Sequence, residues 1–277
     1  MLNLPALGTT LFTTDALGAG YGYDGSNTGA VRNQRPSERS SRPTLGNNSN
    51  LELAGAATGL AFYAANPNWF ANVSLYAPDS NEAGVTHMDA GTLLSHYARG
   101  MVFLNQGAWE IGVGAGLYSG STTATIADAD LATELGLTVD VDEVEIVTRA
   151  RFIDAQLQGT AGGRELGVYF TYAQGEEPNT TDGKAHLYAG VDKKPKGWGL
   201  DAEYFVADKL AVLASLGSHD NGTDGASAKK SAGVGLYWKI AQNITLQPMY
   251  EKFSGDQGKD ASGDDVTQLT VTLEAAF

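Results

Sequence analysis

Residues 266–277 read VTQLTVTLEAAF, and this stretch decides the fold. Leu269, Val271, Leu273, Ala275 and Phe277 recur at every second position, with Gln268, Thr270, Thr272 and Glu274 between them. Successive side chains leave a β-strand on opposite sides, so a period of two predicts a strand with one apolar and one polar face. A soluble sandwich gives the same alternation. The rest of the chain has to decide which medium meets the apolar face.

Composition narrows the choice. The chain has 277 residues, and its 18 Lys and Arg stand against 32 Asp and Glu for a formal net charge of −14. That length suits a single domain over 1–277. The acidic balance argues against a nucleic-acid partner, which needs a basic face. The 35 glycines and 8 prolines are too aperiodic for collagen or a disordered chain. Without cysteine there is no disulfide, no haem-attachment motif and no thiolate metal site, and no cofactor is expected. No stretch approaches the roughly 18 consecutive apolar residues of a membrane helix. The opening MLNLPALGTTLF lacks a basic segment followed by an apolar one, so a mature or recombinant form without a signal peptide, or a fragment, is expected.

Working back from the C-terminus, the alternation repeats. In 243–253, Ile244, Leu246, Pro248 and Tyr250 oppose Thr245, Gln247 and Glu251. In 228–240, Ala232, Val234, Leu236, Trp238 and Ile240 oppose Ser231, Gly233, Gly235, Tyr237 and Lys239. Further strands are predicted at 209–218, 196–206, 164–174, 142–157, 108–119, 90–104, 68–77 and 51–64. In 142–157, Val144, Ile146 and Phe152 share the apolar parity and Glu143, Glu145, Arg149 and Arg151 the polar one. The phase then slips at Asp154 and Gln156, which predicts a bulge or the end of an apolar band.

The connections alternate strictly. Those at 66–68, 105–107, 159–163, 207–209 and 241–243 are short. Those at 78–89, 120–141, 175–195, 219–227 and 255–264 are longer and polar, and ADLATELGL within 120–141 suggests a short helix. Carrying the parity to the start requires one more strand, best placed within 10–23. Trp69, Trp109, Trp198 and Trp238 all fall on the apolar parity near strand ends, as aromatic girdles at membrane interfaces do.

This pattern resembles the bacterial outer-membrane β-barrel (porin) superfamily over about the C-terminal four-fifths of the chain. The resemblance implies an all-β, transmembrane antiparallel up-and-down barrel of about 12 strands, with 10–14 as the range, short periplasmic turns and longer extracellular loops. It also implies a bacterial outer-membrane location, contact with the lipid bilayer and lipopolysaccharide, and passage of small hydrophilic solutes. Phe277 fits the terminal aromatic that the outer-membrane assembly machinery reads.

On that reading the polar parity lines a pore. The lining set is Glu110, Glu143, Glu145, Arg149, Arg151, Glu165, Asp201, Glu203, Lys239, Glu251 and Glu274. Opposed charges across a narrow pore select solutes, and neutralising Arg149 and Arg151 is expected to shift ion preference toward cations. The polar segment 26–50 carries Arg32, Arg35, Arg39 and Arg42, half of the arginines. It suits a constriction loop or plug, an outer loop that grips lipopolysaccharide phosphates, or equally a mobile loop with no specific partner.

A passive channel that makes and breaks no bond is the leading expectation. The alternatives are a structural barrel, such as the sheath of a porin–cytochrome conduit with an electron-transfer partner, and a lipid-modifying barrel enzyme centred on Ser95 and His96. No catalytic residue is assigned. The glycines of GVGAG at 112–116 fall at period two within a strand, so no phosphate loop is read there. A homo-oligomer is left open, and the acidic loops are read as solvated surface.

Overall fold

A computed structural model describes residues 57–78, 85–89, 95–126, 144–175, 185–186, 192–194, 196–220, 222, 224–242, 244–260 and 262–275. The strand candidate within 10–23, segment 26–50, ADLATELGL and Phe277 lie outside the described residues. The strands are β1 (Ala57–Asn66), β2 (Trp69–Pro78), β3 (Val85–Asp89), β4 (Ser95–Gln106), β5 (Trp109–Ile126), β6 (Val144–Ala161), β7 (Arg164–Gly175), β8 (Ala185–His186), β9 (Lys196–Ala207), β10 (Leu210–Asp220), β11 (Lys229–Ala241), β12 (Ile244–Ser254) and β13 (Thr267–Ala275).

They form one sheet in the order β1-β2-β4-β5-β6-β7-β9-β10-β11-β12-β13, with β3 beside β5 and β8 beside β6. Each step along that path is antiparallel. The path takes the strands in sequence order, so the topology is up-and-down. Its members correspond one for one to the strands expected from the alternation between residues 51 and 277. β5 and β6 run longer than the pattern suggested, 18 residues each, so the first part of the expected loop 120–141, up to Ile126, is strand.

The tight turns share one end of the sheet. Gly162 and Gly163 join β6 to β7 with φ of 60° and 75°, the left-handed pair that two-residue hairpins favour. Between β1 and β2 the Asn66 side-chain oxygen accepts from the N–H of Asn68 at 2.8 Å and of Trp69 at 3.0 Å, which stabilises the turn locally. The longer connections meet at the other end and are tied together there. Ser227 Oγ donates to Asp256 Oδ2 at 2.7 Å and accepts from the Asp256 N–H at 2.9 Å. Lys193 pairs with Asp224 in the same cluster.

The burial pattern is inverted relative to a soluble sheet. The apolar parity is the exposed one: Leu269 is 68% exposed, Leu273 64% and Val234 53%. The polar parity is covered, with Asp201, Gln156, Gln247 and Glu251 buried. Large exposed apolar faces and buried polar groups are the informative departures from ordinary packing. Trp69, Trp198 and Trp238 stand exposed on the apolar face, and Trp109 lies over Gly159, where an added Cβ would meet its ring at 2.4 Å.

One expectation is corrected here. β6 has no bulge: its pairing with β5 runs unbroken from Trp109↔Gly159 to Ala124↔Val144. Phe152 and Gln156 are buried on the inner face, and Ile153 is exposed on the outer one. Arg151, opposite Leu117, and Arg149, opposite Ser119, share the parity of Ile153. Both arginines therefore face outward and do not line the interior. On β6 the outer parity is apolar from Ile153 to Leu157 and turns polar toward the loop end, where Arg149 and Arg151 take it.

Candidate functional site

The inner wall is the candidate site. Its shape begins with glycine. Gly112, Gly114 and Gly116 of β5 point inward without side chains, and neighbours on β4 and β6 fill the space. A Cβ on Gly116 would sit 2.2 Å from Phe152 Cζ, one on Gly114 2.9 Å from Asp154 Oδ1, and one on Gly112 2.7 Å from Met101 Cε. Across this track Arg99 of β4 reaches Asp154 of β6, with Nη2 2.6 Å from Oδ1. The Arg99 guanidinium also lies 5.8 Å from the Phe152 ring centre. An arginine–carboxylate contact of this length is a charge-assisted hydrogen bond. Neither residue belongs to the lining set expected from sequence. The signal that could have found them is the period-two glycine run, which obliges flanking side chains to cross it. Phe70, Met101 and Phe103 form an apolar cluster beside the track.

The remaining inner charges spread around the sheet. Asp201 is buried on β9, and Glu203 accepts from the Tyr169 hydroxyl at 3.2 Å. Lys239 of β11 lies 5.1 Å from the Phe205 ring and 5.8 Å from that of Tyr237. Glu110 begins the inward parity of β5 next to the turn end. Glu165 holds the same parity on β7 and is exposed. At the loop end, a pocket of about 380 Å³ is lined by Lys229, Glu251, Gln257, Lys259, Gln268 and Thr270, among others. Lys229 Nζ sits 4.3 Å from the Phe253 ring in that pocket, and Glu251 Oε1 is buried there without a hydrogen-bond partner.

Of the expected lining residues, Glu110, Glu165, Asp201, Glu203, Lys239 and Glu251 fall on the inner face. Arg149 and Arg151 fall on the outer one. Glu145 pairs opposite Thr123, in phase with the two arginines, whereas Glu274 pairs opposite Thr245, on the parity of the inward Gln247 and Glu251. Glu143, Arg32, Arg35, Arg39 and Arg42 lie outside the described residues. His96 is exposed, opposite Leu75 and Ser119, and no grouping of His, Asp and Glu among the described residues suits a metal ion. Acidic groups thus dominate the described inner wall. On the described strands Glu110, Asp154, Glu165, Asp201, Glu203 and Glu251, and by register Glu274, stand against Arg99, Lys229 and Lys239.

No protein-family model matches the chain, and no curated protein does. Solved structures match in fold. Pseudomonas putida OprB at high pH aligns with a TM-score of 0.53 at 10% identity, over 80% of this chain and 58% of that one. The chain therefore spans little more than half of that relative's length. The CymD monoaromatic hydrocarbon channel aligns with a TM-score of 0.41 at 8% identity, over 79% of this chain and 72% of that one. A Pseudomonas aeruginosa FadL homologue gives 0.32 at 9%, over 79% and 75%. At 10% identity the likeness to OprB concerns fold alone. That fold is the antiparallel sheet of an outer-membrane β-barrel.

Proposed function

We propose that this chain is an outer-membrane channel through which small hydrophilic solutes and ions diffuse passively, with a preference for cations. The inverted sheet carries the proposal: an exposed apolar face suits lipid, and a polar, charged face suits a watery lumen. The acidic majority on the inner wall supplies the preference, because carboxylates lining a pore attract cations and repel anions. Arg99 and Asp154 pair with each other, and the remaining Glu110, Glu165, Asp201, Glu203 and Glu251 outnumber Lys229 and Lys239. The loop-end pocket with Lys229 and Glu251 at its wall suits a first contact for a zwitterionic or hydroxylated solute. No bond is made or broken in this mechanism, and no cofactor takes part.

Proteoliposome uptake tests it. Vesicles holding the protein should take up small neutral and cationic solutes faster than anions of equal size. Uptake no faster than in protein-free vesicles would reject the channel.

A further inference from the structure

The loop-end pocket holds an unmet charge. Glu251 of β12 is only 5% exposed, and its Oε1 has no hydrogen-bond partner. The flanking strands explain why. On β11 its register partner is Gly233, which has no side chain to donate. On β13 its partner is Gln268, whose Nε2 donates instead to Thr270 Oγ1 at 3.0 Å. Lys229 does not close the gap, because its Nζ rests 4.3 Å from the centre of the Phe253 ring. Its stem is flanked there by the 3₁₀ turn Asp256–Gly258, where a Cβ on Gly258 would lie 3.0 Å from Lys229 Cγ. Lys259, the other cation of the pocket, already donates to Asp256 Oδ1 at 3.1 Å. One buried carboxylate oxygen and one ammonium thus face a single cavity of about 380 Å³ without meeting. A buried carboxylate without a donor is costly, and a ligand that supplies the donor relieves that cost.

We propose that this pocket binds α-amino acids in their zwitterionic form, a reading that rests on the proposed channel and names the solute class it takes. The ammonium group donates to Glu251 Oε1, and the carboxylate accepts from Lys229 Nζ. A side chain of moderate size lies against Met249, Phe253 and Val266, the apolar part of the wall. Opposite charges on one wall favour a dipolar solute over either single ion, because an anion is repelled by Glu251 and a cation by Lys229. They also favour charged partners over neutral hydroxyls, since charge-assisted hydrogen bonds are roughly twice as strong as neutral ones. The volume falls at the small end of the roughly 300–1,000 Å³ of ligand pockets, as a single amino acid requires.

Isothermal titration calorimetry of the detergent-purified full chain with L-leucine tests the proposal. Saturable one-to-one binding is expected. 4-Methylpentanoate, which lacks the ammonium, and 3-methylbutylamine, which lacks the carboxylate, should each bind about tenfold more weakly or worse. Erythritol, a neutral polyol, should bind no better than either. Glu251→Gln and Lys229→Met should each weaken leucine binding by a similar factor. The two variants should also change preference in opposite directions. Glu251→Gln should bind 4-methylpentanoate more tightly than wild type does, and Lys229→Met should bind 3-methylbutylamine more tightly. A merely structural role for these residues would not produce that crossover. No leucine binding by the folded wild type would overturn the proposal. So would a half-ligand or erythritol bound as tightly as leucine, or variants that bind leucine as wild type does. Conductance of the same preparation keeps the two readings apart. A protein that conducts but does not bind leucine loses the site and keeps the channel. One that binds leucine but passes no current keeps the site and loses the channel.

Discussion

At the scale of single residues, the inner wall depends on missing Cβ atoms. A methyl at Gly116 would meet the Phe152 ring at 2.2 Å and the Ala98 carbonyl oxygen at 2.8 Å. Overpacking of this kind costs about 1–3 kcal/mol. Gly116→Ala should lower stability by about that amount in a urea titration of the folded barrel. Gly100→Ala, on the open outer face, should change it little. A second residue-scale prediction concerns Asp256. Hydrogen bonds from the Ser227 hydroxyl and backbone N–H, then Lys259, hold its carboxyl well below the ordinary value of 3.8. A carboxyl whose folded value is depressed stabilises the fold above its unfolded value and stops doing so as pH falls through the folded one. The link between the two loops should therefore persist unchanged from pH 7 to pH 4 and loosen only below the ordinary carboxylate range. Amide exchange at Ser227 and Asp256, corrected for its intrinsic pH dependence, reports this. Ser227→Ala should move the loosening to higher pH.

Turns and registers govern the scale of elements. Gly163 has φ of 75° and nothing within 4 Å of an added Cβ, so any cost of substitution there is backbone strain. Gly163→Ala should destabilise by about 1 kcal/mol, whereas Gly162→Asn should be tolerated because asparagine accepts the left-handed region. Comparing the two urea midpoints checks this. The alternation of short and long connections was legible in sequence because the hairpin turns are only two residues long. Every outward aliphatic of β10 to β13 was legible too, since those strands keep one strict apolar parity. β6 was misread for a physical reason. Toward the loop end of β6 the outer parity ceases to be apolar, and Arg149 and Arg151 take it. Phe152 faces in, because Gly116 opposite leaves room for its ring. Arg99 and Asp154 were missed because their meeting depends on two strands flanking a third, which no single-strand pattern encodes.

For the whole molecule, the sheet is turned inside out: its apolar parity is exposed, and its polar parity carries the buried Asp201 and Glu251. The outer-membrane β-barrel fold follows from that inversion, and the proposed cation preference follows from which charges remain on the inner face once the two arginines leave it. The measurement that tests this most directly is single-channel recording of the purified protein in a planar bilayer under asymmetric KCl. Discrete current steps are predicted, with a reversal potential of the sign given by potassium selectivity. Neutralising Asp201 and Glu251 together should move that potential toward zero. A folded barrel that passes no current, or one whose reversal potential has the sign of chloride selectivity, would contradict the account.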